Sequence, residues 1–390
     1  MIPSVMPSYG RADIAFERGE GPYLYATDGR RFLDFGAGIA VTVAGHGHPQ
    51  LVAALTNQAA KLWHTSNLYQ IPEQTRLADR LVAASFADTV FFCNSGAEAV
   101  EASLKTVRKY QFETGNAERT RFIVFEGSFH GRTLALISAG ASEAHRKGFG
   151  PLLDAFDRAP YGNLNEVRAA IDGQTAGILV EPVQGEGGIR LADADFLRGL
   201  RQACDEFGLL LIYDEVQSGM GRTGHLFAHQ ASGAAPDVMA LAKGLGGGFP
   251  IGACLATERA AQGMVPGTHG STFGGNPLAS AVANAVLDIV LEDGFLAGVA
   301  KRGAHLGEML GGVAKTYPGV VEQVRGVGYM WGMKCVIPNA DLAGKMFERG
   351  LLNVVAAENV VRLLPPLIAT DAHLEEAVGI VEACCAELAG

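Results

Sequence analysis

Five short runs of apolar and β-branched residues, separated by longer amphipathic stretches, constrain the fold of this chain more than any other feature. Each run has the length and composition of a buried strand, and the stretches between them have helical periodicity. Most successive runs begin about 30 residues apart, which is the length of a β-α-β unit. The runs are residues 89–93, 121–125, 177–180, 209–213 and 238–242. This pattern predicts an α/β fold with a mostly parallel central sheet.

Polar residues or glycines follow every run at the point where the predicted strand ends. In an open parallel sheet, ligands bind just outside the carboxyl ends of the strands. Glycine is also in excess, with 51 in 390 residues, against a usual fraction of about 7%, which suits loops that approach a ligand closely. The segments that follow the runs are residues 94–96, 127–131, 181–182, 214–215 and 243–244. We therefore expect one ligand to contact all five segments.

The segments that flank this sheet predict a second, smaller α/β domain. A turn signal at residues 27–30 predicts an N-terminal hairpin, and residues 278–291 predict a long connecting helix. We expect residues 1–45 to form the N-terminal part of the small domain and residues 46–275 to form the large, ligand-binding domain. Residues 276–390 then supply the connecting helix and the rest of the small domain.

The charge balance excludes two classes of partner. The chain has 41 acidic and 31 basic residues, a formal net charge of −10. Such a chain is a poor match for a nucleic-acid backbone or an anionic membrane surface, so we expect neither as a partner. An anionic ligand must then be held by a few local arginines.

Cysteine usage and hydropathy predict a cytoplasmic location. The six cysteines are scattered, and the only close pair, Cys384 and Cys385, is vicinal, which disfavours an ordinary disulfide. The first residues lack the basic and apolar regions of a signal peptide, and no run of apolar residues is long enough to span a bilayer. We therefore expect reduced thiols and no membrane segment.

Lys243 is a candidate nucleophile because it lies between an apolar strand and a glycine-rich loop. A partly desolvated lysine has a lowered pKa, and its neutral amine can form a Schiff base with a carbonyl. Asp214 ends a very apolar strand, where a carboxylate needs a buried cation such as a protonated pyridine nitrogen. The alternatives are a surface lysine for Lys243 and a helix or turn cap for Asp214.

A phosphate site is predicted where residues 94–99 end one strand and open a helix. The free backbone N–H groups of Ser95, Gly96 and Ala97, together with the helix dipole, would bind a phosphate. The alternative is an ordinary Ser or Asn helix cap. Phe129 follows the next strand and could stack on a flat ring, or it could be a core phenylalanine.

Together these motifs resemble the class III pyridoxal-phosphate aminotransferases of fold type I, which act on ω-amino groups. The resemblance covers nearly the whole chain, from Tyr25-Ala26-Thr27-Asp28-Gly29 to Arg362-Leu363-Leu364-Pro365-Pro366. Within the class, the chain is most similar to the acetylornithine aminotransferases. The segments that carry this closer similarity are residues 38–41, 65–69 and 129–133.

The resemblance implies pyridoxal 5′-phosphate (PLP) as the cofactor. Lys243 would form the internal aldimine and act as general base, Asp214 would pair with the pyridinium nitrogen, and Phe129 would stack on the ring. The other implied cofactor contacts are Ser95, Gly96 and Ala97 at the phosphate, Gln217 at the ring hydroxyl, and Thr272 at the phosphate of the other subunit's cofactor. The enzyme would therefore be a homodimer, with Ser271 and Thr272 reaching the partner's site and Ser271 touching substrate.

Two arginines are implied as carboxylate clamps, a role that suits the guanidinium fork. Arg132 would hold the α-carboxylate of N-acetylornithine and the distal carboxylate of 2-oxoglutarate, and Arg362 would hold the α-carboxylate of glutamate. Glu186 would neutralise Arg362 as a removable gate when the acylated amine is bound. The implied reaction moves the δ-amino group of N-acetylornithine to 2-oxoglutarate, giving N-acetylglutamate 5-semialdehyde and glutamate in arginine biosynthesis. The alternative for Arg362 is a surface arginine beside a strand.

The acyl group of the substrate stays open at this point. Ile39 stands where ornithine aminotransferases carry a tyrosine, which favours an acylated amine over free ornithine. The same family pattern serves succinylornithine and succinyldiaminopimelate, and more distantly ornithine and 4-aminobutyrate.

Other classes of function fit the sequence less well. Residues 219–224 match G-x-G-x-x-G after a strand, which suggests a nicotinamide-dependent oxidoreductase, but no clean helix is predicted to start there. His46 and His48 lie in a predicted turn without an acid or cysteine cluster, so metal binding is not expected. A regulator with a retained sensor fold would need an added DNA-binding module. An aminomutase would share Lys243 and Asp214, but the two arginines with Glu186 favour transfer to an external oxoacid.

Overall fold

A seven-stranded sheet forms the centre of the computed structural model, which describes residues 2–390. Six of its strands are parallel, and only the strand Gly252–Ala256 is antiparallel to both of its neighbours. The strands, in order across the sheet, are Thr89–Cys93, Gly252–Ala256, Val238–Leu241, Leu210–Asp214, Thr175–Val180, Arg121–Phe125 and Phe156–Ala159. The prediction of an α/β fold with a mostly parallel central sheet is confirmed.

The central strands are apolar because helices cover both faces of the sheet. Every residue of Thr175–Val180, Leu210–Asp214 and Val238–Leu241 is buried. The α-helices in chain order are Pro49–Ala59, Pro72–Ala83, Gly96–Glu113, Leu134–Ala139, Glu143–Arg146, Leu164–Ala170, Ala194–Phe207, Glu258–Ala261, Pro277–Val290, Phe295–Thr316, Asn339–Glu348 and Asp371–Leu388, and short 3-10 helices lie at Ala228–Ala231 and Lys243–Leu245.

Two further four-stranded sheets and a two-stranded ribbon lie outside the central sheet. The N-terminal sheet contains Phe16–Glu20, Tyr23–Ala26, Arg31–Asp34 and Leu351–Leu352, and the C-terminal sheet contains Val321–Val327, Met330–Cys335, Val360–Leu363 and Val354–Ala356. Val183–Gln184 pairs with Arg190–Leu191 in the ribbon. Leu351 pairs with Leu33 in the N-terminal sheet, so the two ends of the chain are joined by strand pairing. The predicted domain boundaries stay a prediction.

Residues 37–40 form a single left-handed turn in which every φ angle is positive. Three of these residues are not glycine, and such backbone strain persists only where surrounding contacts enforce it. Asp34 supplies those contacts, because its Oδ1 accepts hydrogen bonds from the backbone N–H groups of Gly36 at 3.0 Å and Ala37 at 2.8 Å. His46 Nε2 lies 2.8 Å from the other carboxylate oxygen. The turn leads directly into Val41, which lines the cavity described below.

Among residues 2–390, no helix combines the length and hydropathy needed to cross a bilayer.

Candidate active site

A cavity of about 350 Å³ opens at the carboxyl ends of the parallel strands. The antiparallel strand enters from the same edge and brings residues 248–251 to its wall. Seven of the cofactor-contacting residues predicted from the sequence line this one cavity: Ser95, Gly96, Ala97, Phe129, Asp214, Gln217 and Lys243. Glu181, from the remaining strand end, also lines this cavity, so the structure brings together residues from all five predicted strand ends.

Lys243 follows the strand Val238–Leu241 and begins the short 3-10 helix Lys243–Leu245. Its φ angle is +43°, a conformation that a side-chain-bearing residue adopts only when its surroundings hold it there. Burial lowers the pKa of the Lys243 amine, with the positive charge of Arg362 acting in the same direction. Within residues 2–390, no carboxylate lies at ion-pair distance from this amine. The arrangement favours a neutral, nucleophilic amine at the cavity wall.

Asp214 is the last residue of the strand Leu210–Asp214 and is 5% exposed. One carboxylate oxygen lies 2.8 Å from His130 Nδ1, and the other accepts a hydrogen bond from the backbone N–H of Val216 at 3.1 Å. These contacts hold Asp214 in place, and the remaining nitrogen of His130 is buried without a partner in the described chain. Asp214 is thus a buried anion at the cavity, which suits a cationic ring nitrogen.

The helix Gly96–Glu113 points its N-terminus at the cavity. Ser95 caps it, because its hydroxyl accepts a hydrogen bond from the backbone N–H of Glu98 at 3.2 Å. Within residues 2–390, the N–H groups of Gly96 and Ala97 have no protein acceptor. A Cβ atom on Gly96 would lie 2.7 Å from the side chain of Val216, so only glycine allows this approach. The free N–H groups and the helix dipole can bind a phosphate.

Phe129 lies on the loop after the strand Arg121–Phe125, and its side chain is part of the cavity wall. Its backbone N–H donates a hydrogen bond to Glu181 Oε2 at 3.0 Å. The Arg132 guanidinium lies 5.6 Å from the centre of its ring. The position of the ring is therefore set from two sides, and it can cover a flat ligand.

Arg362 is fully buried on the strand Val360–Leu363, although most arginines are exposed. Its Nη1 donates hydrogen bonds to Glu186 Oε1 at 2.7 Å and to Gln217 Oε1 at 3.1 Å. Its Nη2 donates to the backbone oxygen of Val355 at 3.2 Å. The predicted contact between Arg362 and Glu186 is present, and Gln217 connects the pair to the cavity.

Gly185, next to Glu186, allows Gln217 to reach this position. A Cβ atom at Gly185 would come within 2.1 Å of the Gln217 amide oxygen. A side chain at position 185 would therefore displace Gln217 from Arg362.

Arg132 lies at the outer side of the same region and is exposed. It makes no ion pair with a carboxylate in the described part of the chain, and its one defined contact is with the Phe129 ring. Its guanidinium is therefore free to bind an incoming carboxylate.

Ser271 and Thr272 line a different cavity, of about 910 Å³, together with residues 66–68, 266–267 and 269–270. Asn94 Nδ2 donates a hydrogen bond to Ser271 Oγ at 3.3 Å, so the second cavity lies beside the first. Within a single chain, the structure does not bring Ser271 and Thr272 into the cavity that holds Lys243. Their predicted role toward a partner subunit stays a prediction.

Sequence reasoning assigned no role to His130 and Glu181, both of which line the cavity. Each follows a predicted strand, so position alone marked them as candidates. The contact of His130 with Asp214 joins residues 84 positions apart, and no local pattern signals it.

Comparison with known proteins gives the family. The sequence profile of the family described as Aminotransferase class-III matches residues 5–385. An acetylornithine aminotransferase of Mesorhizobium japonicum is 57% identical over 376 residues, which cover 96% of this chain and 94% of the relative. The structure of N-acetylornithine aminotransferase from Stenotrophomonas maltophilia has a TM-score of 0.85 and 38% identity, with 97% of each chain covered.

A second solved structure, the ornithine aminotransferase of Toxoplasma gondii, contains PLP at partial occupancy in its active site. It has a TM-score of 0.94 and 30% identity, and the match covers 98% of this chain and 92% of that one.

The residues of this chain fit PLP. The cavity offers a desolvated lysine amine, a buried carboxylate for a ring nitrogen, an aromatic ring and a helix N-terminus with free N–H groups. These are the groups that an aldehyde, a pyridinium, a flat ring and a phosphate require. The chain belongs to the class-III aminotransferase family and is a PLP-dependent transaminase.

Proposed function

We propose that the enzyme transfers the δ-amino group of N-acetylornithine to 2-oxoglutarate, forming N-acetylglutamate 5-semialdehyde and glutamate. One observation carries this proposal: a covered arginine, Arg362, and an uncovered arginine, Arg132, belong to the same site region. A site with these two arginines can hold the single α-carboxylate of an acylated amine or the two carboxylates of glutamate. The 57% identical relative from Mesorhizobium japonicum supports the choice of donor.

Bound PLP supplies an electron sink that stabilises negative charge at the substrate carbon. Asp214 holds a compensating negative charge for the ring nitrogen, and its contact with His130 fixes the orientation of the carboxylate. The lowered pKa of Lys243 favours the neutral form of its Nζ, which can take a proton from the substrate carbon and return it. Ser95, Gly96 and Ala97 would hold the phosphate, Gln217 would bind the ring hydroxyl, and Phe129 would cover the ring.

The two half-reactions differ at Arg362. When N-acetylornithine binds through Arg132, Glu186 stays on Arg362 and neutralises it. When glutamate binds, its α-carboxylate takes the place of Glu186, and Arg132 holds the distal carboxylate. The Glu186 side chain is about one-third exposed, so its carboxylate can enter water when it leaves Arg362.

The proposal also includes the oligomeric state and the cellular location of the enzyme. We infer a homodimer in which Ser271 touches the partner's substrate and Thr272 the partner's cofactor phosphate, because both line a broad cavity beside the active site. All six cysteines are buried and free, which supports a location in the reducing cytoplasm. The proposed products place the reaction in arginine biosynthesis. The proposed domain division is residues 1–45, 46–275 and 276–390.

The visible absorption spectrum of the holoenzyme tests the donor. N-acetylornithine added without an oxoacid is expected to remove the band of the lysine-bound cofactor completely and to raise the band of its aminated form. Succinylornithine and ornithine serve as competing donors, and glutamate is the positive control. A spectrum that moves with glutamate but not with N-acetylornithine would contradict the proposed donor while leaving the transaminase assignment intact.

Lys243→Ala tests the catalytic assignment. We expect this variant to bind PLP without a covalent bond and to lose turnover by about a thousandfold or more, because both the Schiff-base amine and the base are removed. Turnover is measured with N-acetylornithine and 2-oxoglutarate. Activity near that of the wild type would show that Lys243 is not the base.

A further inference from the structure

Glu181 is a buried carboxyl group in the cofactor cavity that the mechanism above does not use. It follows the strand Thr175–Val180 and is 6% exposed. Its Oε2 accepts the hydrogen bond from the backbone N–H of Phe129 at 3.0 Å. Its Oε1 makes no hydrogen bond within residues 2–390, and the residue lines the cavity. One oxygen is thus engaged with the protein and the other is left for a ligand.

Within residues 2–390, Glu181 forms no ion pair with a cation. Asp214 is engaged with His130, and Arg362 is engaged with Glu186. Burial raises the pKa of Glu181 well above its usual value, and the nearby charge of Asp214 raises it further. The Tyr161 hydroxyl donates to the backbone oxygen of Glu181 at 2.8 Å, so it does not solvate the carboxylate.

Two basic residues, Arg190 and Lys243, also lie in the surroundings of Glu181. The Arg190 guanidinium lies over the Tyr161 ring, 5.2 Å from its centre, and forms a longer ion pair with Glu358 at 3.7 Å. Lys243 is the remaining cation, and burial lowers the pKa of its amine.

A proton on Glu181 would also preserve the reactivity of Lys243. An ionised Glu181 would be a second buried anion beside Asp214 and would stabilise the protonated form of the lysine. A protonated lysine is neither a nucleophile nor a base. An uncharged acid avoids this effect and can still donate a hydrogen bond, as buried neutral carboxylic acids do in other active sites.

We propose that Glu181 is an uncharged carboxylic acid in the holoenzyme, with Oε2 positioning Phe129 and the Oε1 hydroxyl donating a hydrogen bond to the bound cofactor. Glu181 is then a residue that contacts the cofactor and keeps the cavity free of a second anion. The inference rests on the cofactor assignment and is independent of the acyl group of the substrate.

Infrared difference spectroscopy of the holoenzyme tests the proton directly. The spectra are recorded at about pH 7, where an ordinary Glu is ionised. The spectrum of the wild type minus that of Glu181→Gln is expected to contain the carbonyl-stretch band of a protonated carboxylic acid. The matched control is Glu118→Gln, which removes an exposed acid and is expected to change carboxylate bands only. A Glu181→Gln difference that contains lost carboxylate bands and no acid band overturns the proposal.

Cofactor affinity gives a second readout that does not depend on turnover. Glutamine keeps a donor and an acceptor, so Glu181→Gln is expected to hold PLP within about threefold of the wild type. Glu181→Met removes both and is expected to weaken binding by about tenfold or more. Equal weakening in the two variants overturns the proposal.

If Glu181→Gln does not fold, the proton is tested on the wild type alone, isotope-labelled at its glutamate carboxyl carbons. One buried carboxyl signal must then stay protonated at neutral pH, and its absence overturns the proposal.

Discussion

Arg132 and Arg362 are both predicted carboxylate clamps, but the structure gives them opposite environments. Arg362 lies on a strand, is fully buried and already holds Glu186 and Gln217. Arg132 lies on a loop, is exposed and touches only an aromatic ring. Arg362 must release the carboxylate of Glu186 before it can bind another carboxylate, whereas Arg132 has no carboxylate partner to release.

This difference separates two ways of recognising the same chemical group. An exposed arginine has only to lose hydration water when it binds a carboxylate. The binding free energy of such an exposed ion pair is correspondingly small. A buried arginine cannot be left unpaired, because an uncompensated buried charge is strongly destabilising. Under the proposed function, Glu186 would be needed whenever the substrate brings no second carboxylate, and this requirement would let one site accept two amines of different shape.

Of the substitutions that test this comparison, Arg362→Lys should have the largest effect. Lysine cannot reproduce the contacts of the guanidinium with Glu186, Gln217 and Val355 at once. We expect kcat/KM for glutamate to fall by about a hundredfold or more, with a smaller loss for N-acetylornithine. Single-turnover measurements of each half-reaction check this. Equal losses in both half-reactions would mean that the two arginines do not divide the carboxylates as proposed.

Arg132→Lys should have an intermediate effect and leave the fold intact. The side chain is exposed, so we expect an unchanged melting temperature. A lysine keeps the charge but not the bidentate fork, and kcat/KM should fall by about tenfold for both N-acetylornithine and 2-oxoglutarate. Steady-state kinetics and a thermal melt measure the two quantities. A marked loss of stability would contradict the view of Arg132 as a free clamp.

Glu186→Ala should have the smallest effect and the most selective one. Arg362 then lacks its partner when N-acetylornithine is bound, so kcat/KM for this amine should fall by about fivefold more than that for glutamate. The control is Glu358→Gln, which changes a nearby acid that pairs with Arg325 and not with Arg362. Equal effects of Glu186→Ala on the two amines would leave Glu186 with a structural role only.

Much of the fold could be predicted from sequence, since the strands have continuous apolar runs with sharp polar ends. The strands Thr89–Cys93 and Arg121–Phe125 have the predicted bounds, and the predicted strand at residues 209–213 lies one residue later, at Leu210–Asp214. Asp214 belongs to the strand because it pairs with Ala240 of the neighbouring strand. The strand Gly252–Ala256 is not among the five predicted runs. Its antiparallel direction could not be predicted either, because a short apolar run does not reveal the direction of a strand.

The sequence by itself determined where the strands end and which polar groups follow them, because periodicity and strand length act over a few residues. It therefore predicted that Lys243, Asp214 and the N-terminus of the helix Gly96–Glu113 lie together at one edge of the sheet. Only the tertiary structure decided how the buried polar groups of the site are paired. The Asp214–His130 contact joins segments far apart in the chain, and the burial of Glu181 results from the same long-range packing. Their energies depend on desolvation and on which charges the packed elements bring together, and neither is encoded in a local pattern.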